Sequence, residues 1–249
     1  MRRREILGGL AAASLLPALP LSPRVARARG GTLIQRVRPT DPAWPDPAEW
    51  TSLREAVGGN LLEPHALFAA CETAPDGTAC VDVEKSVLNP FYVGDQPGGT
   101  TASGWLDAWR AAPSVYAVKV RHAADVAAAV NFAREKRLRL VIKGGGHSYQ
   151  GTSNAADSLL VWTRNLNQVA LHDAFVPRGC AGEVAPVPAV TAGAGAMWID
   201  LYHAVTTVAG RYVQGGGCLS VGTAGLVQSG GFGSLSKGFG TAAANLLEA

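Results

Sequence analysis

From residue 115 onward the apolar positions follow two alternating periods. Residues 115–120, Val-Tyr-Ala-Val-Lys-Val, are aromatic and β-branched enough to predict a strand. Residues 123–136 change to a helical spacing that puts Val126, Val130 and Ala133 on one face, with charges gathered at the carboxyl end. Residues 138–142, Leu-Arg-Leu-Val-Ile, read as a short buried strand, so strand, helix and strand make a βαβ unit. Residues 159–162 and 169–172 predict two more strands, and residues 187–196 run from strand into turn. A helix is then expected over 197–208, with Ile199, Ala204 and Val208 as its apolar positions. Residues 30–113 differ: they are proline-rich and weakly periodic, with 51–57 the one clear helix candidate near their start. That region reads as an extension wrapped on the main domain, against which Trp105 and Trp109 pack.

The N-terminus obeys another pattern. A basic start, Met1-Arg2-Arg3-Arg4, precedes an uncharged run to Leu21 and a small-residue cleavage site at Ala26-Arg27-Ala28. The run is shorter than the roughly 20 apolar residues that a membrane helix needs and is interrupted by Pro17 and Pro20. Arg3-Arg4 followed by Glu5-Ile6-Leu7 resembles a twin-arginine export signal, which implies passage through that export machinery to the periplasm or medium, with cleavage near Ala28. Removing residues 1–28 takes the Lys and Arg count from 22 to 17 and the Asp and Glu count from 19 to 18. The formal charge falls from +3 to −1. The basic balance belongs to the signal, and nothing supports a nucleic-acid footprint. No stable membrane span is expected. In an oxidising compartment Cys71 and Cys80, which flank a turn-forming segment, are placed for a local disulfide; Cys180 has no assigned partner. No cysteine or histidine spacing matches a zinc site.

The candidate chemistry sits in two glycine-rich stretches. The first, Lys143-Gly144-Gly145-Gly146-His147-Ser148-Tyr149-Gln150-Gly151, follows the second strand of the βαβ unit. Carboxyl ends of strands are where open α/β sheets bind ligands, and successive backbone N–H groups there can cradle an anion such as a diphosphate. The second stretch, Gln214 to Gly233, has eight glycines in twenty residues, with Cys218 inside it much as His147 sits inside the first. So many glycines are entropically unfavourable unless backbone must approach something closely. Gly193-Ala194-Gly195 is not a dinucleotide fingerprint, because Trp198 stands where a third glycine is required. No GxxxxGK[ST] loop occurs.

Taken together, Gly144-Gly145-Gly146-His147-Ser148-Tyr149, Cys218-Leu219-Ser220-Val221-Gly222 and Gly230-Gly231-Phe232-Gly233 resemble the berberine bridge enzyme-like branch of the vanillyl alcohol oxidase and p-cresol methylhydroxylase (PCMH) superfamily. The resemblance covers residues 115–249. It implies an α+β fold: a PCMH-type FAD-binding domain of two α/β subdomains over 113–249, after a signal (1–28) and an extension (29–112). It implies FAD bound covalently, with His147 on the methyl carbon at C8 of the flavin and Cys218 on C6. Gly144, Gly145, Gly146, Ser148, Tyr149 and Gly151 would line the diphosphate and ring. Val221, Gly222, Gly225, Gly230, Gly231 and Gly233 would let the second loop run against the cofactor. Lys143 would either offset phosphate charge or stand solvated at a strand end.

The implied reaction is hydride transfer from an alcohol, sugar or alkaloid-like substrate to flavin N5, followed by reoxidation with dioxygen. Family members continue into a substrate domain, so the domain is expected to be incomplete at Ala249 and the catalytic base to lie beyond it. Tyr149, His172 and His203 read as structural. Two alternatives stand beside this reading. One is a flavin-binding fragment without turnover. The other is a serine hydrolase in which Ser148, within a near match to a nucleophile elbow, works with Asp173 or Asp200 and His203.

Overall fold

A computed structural model describes residues 35–249 apart from 103, 106, 107 and 111. The export signal predicted over 1–28 lies outside the described residues. In chain order the elements are α1 (Pro47–Ala56), β1 (Leu61–Leu62), α2 (Ala69–Thr73), α3 (Thr78–Ser86), α4 (Pro90–Gly94), β2 (Gly104–Trp105), β3 (Trp109–Arg110), β4 (Tyr116–Lys119), α5 (Ala123–Glu135), β5 (Arg139–Lys143) and β6 (Ser158–Trp162). There follow β7 (Val169–Phe175), β8 (Val187–Ala192), α6 (Trp198–Leu201), a π-helical segment (Tyr202–Val208), α7 (Thr223–Gln228) and α8 (Ser236–Phe239). Among the described residues no helix is long and apolar enough to cross a membrane.

The main sheet has the order β1-β4-β6-β5, with β6 parallel to both β4 and β5 and β1 antiparallel to β4. The predicted βαβ unit is present, and β6 returns to pair between its two strands. The run Ser-Leu-Leu-Val-Trp of β6 is buried at every position, as a strand covered on both faces requires. At the edge, β5 departs from the sequence expectation: Ile142 is 62% exposed and Lys143 is 1% exposed. A continuous apolar run does not reveal which face of an edge strand is covered.

Helix α5 starts where Asp125 accepts the backbone N–H groups of Arg121 and His122, satisfying donors that the helix itself leaves unpaired. Its packed face is corrected by the structure. Ala129 and Ala133 are buried, whereas Val130 is exposed, because the small residues let the helix lie close on the sheet. Residues 35–62, expected to wrap on the outside, contribute Val37, Trp50, Leu53, Val57 and Leu61 to this core. The Trp50 ring lies 4.2 Å from that of Tyr116 and 4.9 Å from that of Phe132. A disulfide joins Cys71 of α2 to Cys80 of α3. Trp109 packs against Gly151, where a Cβ would meet its ring at 2.8 Å.

The second part is built on the antiparallel pair β7 and β8. A smaller core of Ala196, Trp198, Leu201 and Ala242 lies beside it, with Val221 and Leu226 packed on its edge. The helix expected over 197–208 is four α-helical residues continued by the π-helical segment. The α-helical turn buries Trp198 and Leu201 and the π-helical segment buries Val205, while the positions predicted to be apolar contacts, Ile199 and Val208, stay exposed.

Candidate functional site

The two glycine stretches meet, and they do so backbone to backbone. A Cβ on Gly145 would lie 2.8 Å from both the nitrogen of Gly222 and the carbonyl oxygen of Ser220; a Cβ on Gly222 would lie 2.8 Å from the nitrogen of Gly145. Only glycine at both places permits the contact. The first loop leaves the carboxyl end of β5. The second is seated by an isolated bridge between Met197 and Gly222: Trp198 N–H donates to Val221 O at 3.0 Å and Thr223 N–H to Ala196 O at 2.8 Å.

This junction brings His147 and Cys218 to one hydroxyl. His147 Nε2 lies 2.9 Å from Ser220 Oγ, and Cys218 Sγ lies 3.4 Å from the same oxygen. Ser220 is 1% exposed, His147 is half-buried and Cys218 is open to solvent. Burial holds the His147 imidazole below its ordinary pKa, with the backbone of Ser220 pulling the other way, so the neutral ring is the favoured form near neutrality. Ser220 belongs to the sequence motif but was not among its candidate site residues. A hydroxyl two positions after a glycine-bound cysteine is the signal that marks it.

Both loops also carry backbone donors without partners. Among the described residues, the N–H groups of residues 145–150 and of residues 215–220 are bonded to no carbonyl or side chain. Gly145, Gly146, Gly215 and Ser220 in these runs are buried, where backbone groups are nearly always paired, so their unpaired donors at one junction suit a ligand rich in acceptors, such as a diphosphate and the carbonyl edge of a flavin. Side chains at Gly217 or Gly225 would enter open space. The residues present therefore fit FAD: buried backbone donors without partners, and no Cβ in the way.

The other predicted site residues are spread more widely. Tyr149 is 71% exposed and Ser148 shares a hydrogen bond with Thr152 at 2.7 Å. Gly144 and Gly146 flank Gly145, and the carbonyl of Gly146 accepts from Thr101 N–H at 2.9 Å. Gly225 lies inside α7; Gly230, Gly231 and Gly233 follow it, Gly231 against Ala242 and Gly233 against the carbonyl of Gly215. The second loop is propped from outside by residues the sequence reading passed over. Tyr202, from the π-helical segment, donates its hydroxyl to Gly216 O, and buried Gln214 donates to Ser236 Oγ at 3.0 Å.

Lys143 corrects both of its sequence readings. It is neither solvated nor turned to the loop's open side: its ammonium is buried and donates to the carbonyls of Gln96, Pro97 and Gly99 at 2.6, 2.7 and 3.0 Å. Burial pushes its pKa down to about 7, against the pull of Asp95. Lys143 thus fastens the 96–99 segment behind the histidine loop. The hydrolase alternative does not assemble. Ser148 is engaged with Thr152, Asp173 pairs with Arg211 at 2.6 Å, and Asp200 accepts the N–H of Met197 at 2.9 Å.

The family follows from sequence as well as geometry. The model of the FAD binding domain family matches residues 114–249, and this chain belongs to that family. An FAD-linked oxidoreductase of Claviceps fusiformis is 31% identical over 86% of this chain and 40% of its own length. A bifunctional decalin synthase of Penicillium decumbens is 33% identical over 94% of this chain and 42% of its own. The crystal structure of a VAO-type flavoprotein from Myceliophthora thermophila C1 superposes with a TM-score of 0.73 at 29% identity, over 84% of this chain and 40% of that one. The fold is therefore that of VAO-type flavoproteins, and the chain spans about two fifths of the length of these relatives.

Proposed function

We propose that this chain binds FAD through two covalent bonds, from His147 and Cys218, and serves an FAD-linked oxidase. The observation that carries the proposal is the meeting of the two loops at Gly145 and Gly222, which sets both nucleophiles against one buried hydroxyl beside two runs of unpaired N–H groups. When bound, FAD would supply the hydride acceptor for a small-molecule substrate, with dioxygen as the oxidant that regenerates it and hydrogen peroxide as the product. The substrate class is an alcohol, a sugar or an alkaloid-like compound, and the relative in Claviceps fusiformis is named as an FAD-linked oxidoreductase.

Each side chain has a distinct task. His147, kept neutral by burial, offers a ring nitrogen lone pair; Cys218, at the solvent-open side, offers sulfur. Two attachments at separate points would fix the ring against rotation, and the unpaired N–H groups of the two loops would hold the anionic part of the cofactor. Export through the twin-arginine pathway is supported by Arg3-Arg4, and an oxidising destination by the Cys71–Cys80 disulfide, a bond favoured outside the reducing cytoplasm.

The test is direct. Purified protein should remain yellow after acid precipitation and lose its colour only when H147A and C218A are combined. Protein that is colourless, or that releases all its flavin in either single variant, overturns the two-bond reading.

A further inference from the structure

We infer that Ser220 is the positioning residue that readies both attachment side chains, its one hydroxyl orienting the His147 imidazole and serving as proton donor to the Cys218 sulfur. The inference rests on the two-bond reading above and goes beyond it by assigning a residue and a direction of hydrogen bonding.

A serine hydroxyl has one hydrogen to donate and lone pairs to accept with. Between His147 Nε2 at 2.9 Å and Cys218 Sγ at 3.4 Å it can be used in two senses. In one, the thiol donates to Oγ and Oγ donates to Nε2; the sulfur keeps its proton and Nδ1 carries the other, so both nucleophiles are blocked. In the opposite sense, Nε2–H donates to Oγ and Oγ–H donates to sulfur. Nδ1, which meets no hydrogen-bond partner among the described residues, then carries a bare lone pair, and the deprotonated sulfur accepts the Oγ–H.

Passing from the first sense to the second moves the thiol proton to Oγ and the Oγ proton to Nε2, and releases the Nδ1 proton to solvent. One proton leaves and the sulfur gains one negative charge. Burial of His147 favours the last step, since the doubly protonated ring is disfavoured there. The hydroxyl oxygen itself is held in place, so only its hydrogen turns between the two senses. Ser220 is 1% exposed, and its carbonyl is pinned where a Cβ on Gly145 would come within 2.8 Å.

The test uses the whole chain in a C180S background, leaving Cys218 as the single free thiol among the described residues. Flavin-free protein from a riboflavin-starved host is treated with iodoacetamide at neutral pH. S220A should slow alkylation of Cys218 about tenfold, the loss expected for a hydrogen bond to a charged acceptor, while S220T should stay near the wild-type rate. Unchanged alkylation in S220A overturns the inference, as does equal slowing in S220A and S220T with circular dichroism unaltered. If S220A fails to fold, S220T decides: retention of the wild-type rate supports the hydroxyl's role, and loss refutes it. Because this readout contains no flavin, wild-type protein lacking covalent flavin would defeat the two-bond reading while the alkylation rates still judge Ser220.

Discussion

The sheet of β1, β4, β5 and β6 is packed against its surroundings by side chains: Leu159, Leu160 and Val161 of β6 are buried, with Trp50, Tyr116 and Phe132 stacked in the core beside the sheet. Across the junction of residues 144–147 with 215–222 the closest contacts exist because side chains are missing, and main chain touches main chain at Gly145 and Gly222. The first region is stabilised by apolar burial, which tolerates reshuffling of similar volumes. The second gains little from burial and depends on shape, leaving its N–H groups for a ligand. One region makes the fold and the other makes the site, and they fail differently.

The largest effect should come from the sheet. L159A is expected to lower unfolding free energy by about 2–5 kcal/mol through lost burial and a cavity. Urea unfolding should show the loss in one transition, with flavin retained in whatever protein stays folded. G145A should cost about 1–3 kcal/mol by overpacking yet remove nearly all covalent flavin. Attachment at the wild-type level in G145A would erase the contrast between the regions.

Lys143 sits on the border between the two. K143M strips three carbonyls of their donor and should destabilise by about 1–3 kcal/mol. Its pH behaviour is a sharper probe. The folded pKa of about 7 lies under the ordinary 10.5, so between those values the unfolded chain holds the extra proton and stability rises with pH across that window. Urea midpoints at pH 7 and pH 9 should rise more for wild type than for K143M; parallel changes would refute the buried clamp.

H147A and C218A alone should each leave flavin attached through the other residue, with stability lowered by about 1 kcal/mol in H147A and within about 0.5 kcal/mol of wild type in C218A, as mass spectrometry of peptides and thermal melting would show. The smallest expected effect concerns acid. Since burial keeps His147 below 6.5, its attachment should persist as pH falls through that value, and an abrupt loss at 6.5 would point to a solvated ring.

Sequence periodicity revealed the strands and the helix of the βαβ unit because a sheet core imposes regular burial. It failed at Val130 and Ile142, where close packing on alanines and an edge position change which side is covered. The site was legible as types and spacing, since glycines beside His147 and Cys218 are conspicuous. Their juxtaposition through Ser220 was not, because nothing local in the chain says that residues 145 and 222 touch. Lys143 was misread because a charged residue after an apolar strand ordinarily faces water. Only the arrival of the 96–99 carbonyls keeps it inside.

The Gly145 and Gly222 contact has a consequence for how such a protein can vary. Most packed pairs are negotiable, since a larger residue on one side is accommodated by a smaller one on the other. Here both partners are already the smallest residue there is, and each would strike main chain, which cannot be trimmed. No second substitution can rescue a change at either position, so the two should behave as independent vetoes in a double-mutant library, and any design that regrafts the two nucleophiles elsewhere must carry both glycines with them.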